Sequence, residues 1–187
     1  MKTDHVSEQE LINGCIDRKH KYQELLYHRY SGKMFAVCLR YASNYHSAED
    51  ILQEGFVKVF RNIERFRGDG AFEGWLRRIF VNTAIEHYRK TVQMYPIMDF
   101  TPLPSETTDL SALDNLMAED LMNMLQELSQ GYKTVFNLYV IEGYSHKEIA
   151  DMLSITEGTS KSQLARARYL LQKKLQDLYK HSEENYV

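Results

Sequence analysis

Apolar side chains return every three or four residues along most of this chain, the spacing that gives a helix one buried face. The pattern predicts helices from about Tyr22 to Tyr41, from Ala48 to Asn62 and from Ala71 to Lys90. Ser7 with Glu10, and Ser47 with Asp50, carry the Ser-x-x-acidic spacing of a capping box, which marks two helix starts. In the helix that begins near Ala48, Ile51, Leu52, Phe56 and Val59 make the apolar side. Asp50, Gln53 and Glu54 fall at i, i+3 and i+4 and share another face. Gly68-Asp69-Gly70 interrupts the pattern, and Phe72, Trp75, Leu76, Ile79, Phe80 and Ala84 are the expected buried positions beyond it. Ser111 and Asp114 open another helix that runs to about Leu128, and Gln130 to Glu142 form one that Gly143 ends. No alternating strand pattern competes, so the fold class is all-α.

Residues 145 to 171 read as a helix-turn-helix. Ser145 caps the first helix and Glu148 completes its capping box. Ile149, Ala150, Met152 and Leu153 supply its apolar side; Ser154, Ile155 and Thr156 make the turn, with Thr156 placed to cap the second helix. Leu164, Ala167, Leu170 and Leu171 bury that helix, and Lys161, Ser162, Gln163, Arg166 and Arg168 are assigned to its outer side. Such side chains donate to phosphates and to base edges in a major groove, which makes duplex DNA the candidate ligand. An ordinary helical hairpin with a solvated charged face is the competing reading.

Composition changes this picture in two places. The net charge of −3 is unexpected for a DNA-binding chain, but the charge is segregated. Thr91 to Gln130 holds Asp99, Glu106, Asp109, Asp114, Glu119, Asp120 and Glu127 and no Lys or Arg, so the remainder is net positive. All three prolines, Pro96, Pro102 and Pro104, lie in the same stretch, where no helical period survives. The predicted organisation is therefore a domain over residues 1–90, an extended acidic linker over 91–110 and a second domain over 111–187. About 20 extended residues reach roughly 65 Å.

Candidate chemistry beyond the helix-turn-helix sits between residues 61 and 90. Arg61, Arg65, Arg67, Arg77, Arg78, Arg89 and Lys90 are interleaved with Phe66, Phe72, Trp75, Phe80 and Tyr88. Cations neutralise phosphate and aromatic faces receive unstacked bases. Asn82 adds a donor and an acceptor able to read a base edge. Trp75 and Phe80 are expected in the core, whereas Phe66 and Phe72, close to the two glycines, are the more open rings. The Asp50, Gln53, Glu54 patch suits a basic helical partner, and a solvated helix face explains it equally well. Cys15 and Cys38 are isolated and are read as reduced, buried thiols. No histidine pair has metal spacing, and no nucleophile motif, paired metal-binding carboxylates or phosphate loop is present, so neither a cofactor nor enzymatic activity is expected. No run of eighteen apolar residues or signal-peptide core occurs, and a cytoplasmic location is expected.

Three segments, in order, resemble one family. AEDILQEGFVKVF (48–60), FEGWLRRIFVNTAIEHYRK (72–90) and GYSHKEIADMLSITEGTSKSQLARAR (143–168) are similar to the core-binding helix, the promoter-melting helix and the C-terminal helix-turn-helix of bacterial RNA polymerase sigma factors. The likeness is to the small two-domain extracytoplasmic-function (ECF) group. It implies a promoter-specificity subunit whose Asp50, Gln53 and Glu54 contact the clamp helices of the largest polymerase subunit. Asn82 and the loop from about Phe66 to Glu73, Phe72 included, would hold a flipped base of the minus-ten element, with Arg77, Arg78, Arg89 and Lys90 on nearby phosphates. Lys161, Ser162, Gln163, Arg166 and Arg168 would meet the minus-35 element. The flap of the second-largest subunit and promoter DNA complete the implied partners, and an anti-sigma factor is a further partner that many relatives have. The linker would thread polymerase near the RNA exit path.

The chain departs from the family pattern at Ser129-Gln130-Gly131, where Pro is common and Ser129 is expected to cap instead, and at Ser160 and Gln163 in the recognition helix. A conventional operator-binding regulator is the alternative reading; it would need a sensor or dimerisation surface in place of the first domain's docking helix and basic aromatic loop. A nuclease is a more distant one.

Overall fold

A computed structural model of the chain describes residues 6–94 and 118–184. Every regular element among them is helical: α1 (Glu8–Ile16), α2 (His20–Tyr41), α3 (Tyr45–Asn62) followed by a 3-10 turn (Ile63–Arg65), α4 (Phe72–Met94), α5 (Ala118–Gln126), α6 (Gln130–Phe136) continued by a π-helical segment (Asn137–Ile141), α7 (His146–Leu153) and α8 (Glu157–Glu184). They form two compact units, one ending at His87 and the other starting at Tyr88, so the last turns of α4 count with the second. The prolines and the Ser111–Asp114 cap fall outside the described residues. Thr91 to Met94, expected to begin the linker, instead continue α4. Between Lys90 and Pro96 there is no proline or glycine, so nothing in the local chemistry stops the helix at Lys90.

In the first unit, α1 begins at the predicted capping box: Ser7 Oγ accepts from the Glu10 amide at 3.2 Å, and Glu10 Oε2 accepts from the Ser7 amide at 2.9 Å. The α3 start differs from the Ser47 expectation. Asn44 is the cap, its Oδ1 accepting from the Ser47 amide at 2.8 Å. Asn is at least as good an N-cap as Ser and lies three residues earlier, so the helix gains Tyr45, His46 and Ser47. α2 packs on both α1 and α3. The core joins Leu26, Tyr30, Met34 and Val37 of α2 to Ile51, Leu52, Phe56 and Val59 of α3 and to Phe72, Leu76, Phe80 and Ala84 of α4, all buried. Gly55 of α3 makes room for the Phe80 ring of α4; a Cβ there would lie 2.2 Å from Phe80 Cε1. Cys15 and Cys38 are buried and unbridged, and burial pushes their thiols up to about 11 and about 12, which keeps them protonated and unreactive.

In the second unit α8 is the spine against which α5, α6 and α7 pack. Leu125, Leu128, Val135, Phe136, Leu138, Ile149, Leu153, Leu164, Ala167, Leu171 and Leu175 make its core. Ser129 occupies the N-cap of α6 but its side chain makes no capping hydrogen bond, contrary to the expected role. The single helix expected from Gln130 to Glu142 changes at Asn137 into the π-helical segment, where the Glu142 amide reaches back five residues to the Asn137 carbonyl at 3.0 Å. Gly143, at φ +78°, ends it in the left-handed region that glycine adopts without strain. Among the described residues no helix is long and apolar enough to cross a membrane, and no cluster of His, Cys, Asp or Glu has the arrangement of a metal site.

Candidate nucleic-acid interfaces

One face of α4 in the first unit borders a cavity of about 300 Å³. Trp75, Ile79, Asn82, Thr83 and Glu86 line it from α4, and Lys58, Asn62 and Arg65 close it from α3 and the turn that follows. Trp75 and Asn82 are seven residues apart, two helical turns, and so share this face. Asn82 is exposed, and the Trp75 indole is half-buried rather than in the core as expected. The two rings expected in the loop behave differently. Phe72 is 1% exposed and stacks against Trp75 at 5.5 Å between ring centroids, so it cannot present a face to a ligand. Its position in the first turn of α4 turns it onto Tyr30, 5.6 Å away, in the core. Phe66 is half-buried, edge-on to Phe72 at 5.0 Å and tilted on Trp75 at 5.7 Å.

Charged groups close the far end of the cavity. Lys58 donates to Glu86 at 2.8 Å and lies 3.0 Å from Glu54, whose other oxygen is 2.8 Å from His87 Nε2. Burial lowers the Lys58 pKa, but the hydrogen bonds to Glu86 and Glu54 outweigh it and hold the ammonium above its ordinary range. Asn62 Nδ2 donates to the Lys58 carbonyl at 2.8 Å, which fixes the amide and turns its oxygen away from that bond. On α3, Asp50 and Gln53 are exposed, whereas Glu54 is half-buried within this network. Arg78 and Lys90 are exposed. Arg77 is half-buried and, five residues before Asn82, lies roughly 140° around the helix from it, so the structure does not bring these two together.

The helix-turn-helix of the second unit has the expected geometry. Ser145 Oγ accepts from the Glu148 amide at 3.3 Å while Glu148 accepts from the Ser145 amide at 2.8 Å, which also lowers the Glu148 carboxyl pKa. Ser154 adopts a left-handed φ of 57° in the turn, and Thr156 Oγ1 accepts from the Thr159 amide at 3.0 Å to cap α8. Lys161 and Ser162 are exposed, and Arg166, one turn after Ser162, is half-buried with its guanidinium 5.7 Å over Tyr169. Two assigned outer residues lie elsewhere. Gln163 is half-buried, its amide over Gly131, where an added Cβ would come within 3.2 Å of Nε2. Arg168 is half-buried with its guanidinium 5.7 Å over Tyr139, a ring that stacks on His146 at 4.5 Å. Helical spacing explains both: Gln163 and Arg168 flank the buried Leu164–Ala167–Leu171 stripe instead of opposing it. Ser160 is wholly buried and 2.9 Å from His146 Nδ1, so it joins the two helices and does not face outward.

Comparison with known proteins assigns both units. Residues 26–93 match the family model Sigma-70 region 2, and residues 118–171 match Sigma-70, region 4. The chain is 34% identical over 161 residues to the ECF RNA polymerase sigma factor SigW of Bacillus subtilis, covering 80% of this chain and 86% of that one. The chain belongs to the ECF RNA polymerase sigma factors. The ECF RNA polymerase sigma-E factor of Haemophilus influenzae is 29% identical over 187 residues, 94% of this chain and 98% of its own. Among solved structures, the sigma factor RpoE of Bartonella quintana, in complex with the anti-sigma factor NepR, aligns with a TM-score of 0.48 at 23% identity, over 82% of this chain and 96% of that one.

As a sigma factor, the protein binds core RNA polymerase and promoter DNA and acts in promoter-specific transcription initiation, without being an enzyme. The region 2 match contains every residue of the α3–α4 cavity, and the region 4 match contains the helix-turn-helix. Of the residues that line this cavity, the sequence pattern singled out Arg65, Trp75, Ile79 and Asn82 but not Lys58, Asn62 or Glu86. Their signal was present as the i, i+4 series Glu54–Lys58–Asn62 and Asn82–Glu86, two polar ladders on facing helices.

Proposed function

We propose that the first unit grips the non-template strand of the minus-ten element at the Asn82 cavity while α3 docks on the clamp helices of polymerase, and that α8 enters the major groove of the minus-35 element. The observation that carries the reading is the pairing of an exposed base-reading amide, Asn82, with a half-buried indole, Trp75, on one wall of a cavity large enough for an extruded base. Extrusion costs a few kcal/mol, so a pocket that offsets it favours strand separation and selects sequence in the same step. Trp75, with Phe66 behind it, replaces Phe72 as the stacking surface, and Arg65, Arg78 and Lys90 are the candidate phosphate partners.

Asp50 and Gln53 make the direct polymerase contact, and Glu54 braces α3 against α4 from behind. Lys161, Ser162 and Arg166 read or hold the minus-35 duplex, while Gln163 and Arg168 fix α8 in its unit. In this reading residues 1–90 and 111–187 are the two sigma domains, tethered by the acidic segment between them. Its reach and two domain widths together span promoter elements about two helical turns, roughly 70 Å, apart. The protein works in the cytoplasm with polymerase, and an anti-sigma factor is an additional partner.

The test is Asn82→Ala in reconstituted holoenzyme. Open-complex formation, followed by permanganate reactivity, falls about tenfold, the order expected for one lost base contact. Core binding, measured by pull-down, is unchanged. Equal loss of both would overturn the flipped-base role.

A further inference from the structure

Ser160 interrupts a stripe of α8 that helical spacing makes apolar. It stands four residues before Leu164 on the face that continues through Ala167 and Leu171, and like them it is buried. A hydroxyl in such a place is costly unless it is hydrogen-bonded, and among the described residues its side chain has one partner, His146 Nδ1 at 2.9 Å. The imidazole is neutral at neutral pH. Burial, then the charges of Lys161 and Arg168 on α8, hold its pKa below the ordinary 6.5 against the opposing pull of Glu157. A buried hydroxyl must place its hydrogen on an acceptor, and a neutral ring offers a lone pair on only one nitrogen. Ser160 therefore donates to Nδ1, and the ring's own hydrogen is on Nε2. Tyr139 stacks on the ring at 4.5 Å and fixes its plane. His146 is half-buried, and Nε2, across the ring from Ser160, has no partner among the described residues. The outcome is a fixed N–H donor at the first position of α7, within the field of Lys161, an exposed cation whose carboxylate neighbour Glu157 is 3.8 Å away.

We infer that Ser160 is a positioning residue for promoter binding: by occupying Nδ1 it turns His146 Nε2–H outward as a donor to a backbone phosphate of the minus-35 duplex, the phosphate that Lys161 neutralises. The inference rests on the placement of α8 in the major groove proposed above. It adds a contact from α7, the helix that crosses the backbone when the second helix of such a motif lies in the groove. A donor already fixed by Ser160 and Tyr139 loses no rotamer freedom when DNA binds, whereas a free lysine in its place would. The polar interruption of the α8 stripe thereby has a use that an apolar residue at the same position could not serve.

Thr and Val at position 160 differ by a hydroxyl against a methyl in side chains of the same shape, so the pair separates the hydrogen bond from packing. Holoenzymes carrying the full-length variants are titrated with a fluorescent duplex bearing the minus-35 element of a promoter that wild-type holoenzyme selects from a randomised library. Ser160→Thr binds as the wild type does, and Ser160→Val binds about fivefold more weakly. His146→Phe, which keeps a ring on Tyr139 but has no N–H, loses about as much, and the double variant with Ser160→Val loses no more than either alone. Equal binding by the Thr and Val variants overturns the inference, as does a double variant whose losses simply add. Neutral methylphosphonates placed one at a time along the duplex then find one phosphate whose replacement weakens the wild type about fivefold and His146→Phe only about twofold. The absence of any such position also overturns it. Lys161→Ala and Arg166→Ala separate the two layers of the argument. If they weaken binding while His146→Phe does not, α8 lies on the duplex and the His146 contact is wrong. If none of the three has an effect, the placement of α8 falls as well.

Discussion

Replacing Gly55 with Ala tests the crossing of α3 and α4 that builds the cavity. A Cβ at Gly55 would lie 2.2, 2.4 and 3.0 Å from Phe80 Cε1, Cδ1 and Cζ. Carbon atoms in contact normally sit about 3.5–4.0 Å apart, so the methyl overlaps three ring atoms at once. Phe80 is fully buried, and Phe56 lies edge-on to it at 5.1 Å, which leaves the ring little room to retreat. Overpacking of this severity costs about 3 kcal/mol, the upper end of the usual range. The better helix propensity of Ala returns about 1 kcal/mol. The net loss is about 2 kcal/mol, a fall in Tm on the order of 10 °C for a unit of this size. Urea or thermal denaturation of Gly55→Ala, Phe80→Leu and the double variant measures it. The double variant is more stable than the sum of the single effects predicts by at least about 1 kcal/mol, because the smaller side chain makes room for the methyl. A Gly55→Ala protein as stable as the wild type, or effects that simply add, would show that the helices move apart freely and that this contact does not set their crossing.

Other substitutions separate contact from support. Asp50→Ala with Gln53→Ala reduces holoenzyme formation without changing the circular dichroism melt, whereas Glu54→Ala also lowers the melting temperature, since it removes one ion-pair partner from Lys58 and one from His87. Arg166→Ala costs about 1–3 kcal/mol of minus-35 duplex affinity and lowers the salt dependence, read by fluorescence anisotropy at several ionic strengths. Arg168→Ala instead destabilises the second unit by about 0.5–1 kcal/mol through the lost Tyr139 contact, a difference visible by thermal melting. Lys133, 1% exposed and hydrogen-bonded to Gln126 at 3.2 Å, has its pKa lowered by burial from 10.5 to about 8. Between those values the unfolded chain binds more protons than the folded one, so this residue's contribution makes stability rise as pH climbs from about 8 to about 10.5. Subtracting the pH–stability curve of Lys133→Met from that of the wild type isolates the rise, and a flat difference would refute it.

Local chemistry determined a good deal of this protein by itself. Hydrophobic period identified α2, α3, α4 and both helices of the helix-turn-helix, and the Ser7 and Ser145 capping boxes form as read because each involves only residues three apart. Identity was legible for a related reason: an interface carried on continuous helices leaves its spacing in contiguous sequence, as in residues 48–60, 72–90 and 143–168.

What the sequence could not decide were the contacts between helices. Phe72 and Trp75 are both aromatic and three residues apart, and only the packing of Tyr30 from α2 sends Phe72 into the core and leaves Trp75 beside Asn82. Glu54 looks like Asp50 in the sequence, yet the approach of His87 and Lys58 makes it a brace. Gln163 and Arg168 read as outward-facing until Gly131 and Tyr139 are placed against them. A helical period states which residues share a stripe, but the neighbour that fills the space beside a stripe comes from a distant part of the chain. That neighbour decides whether a polar side chain is free to bind or already bound.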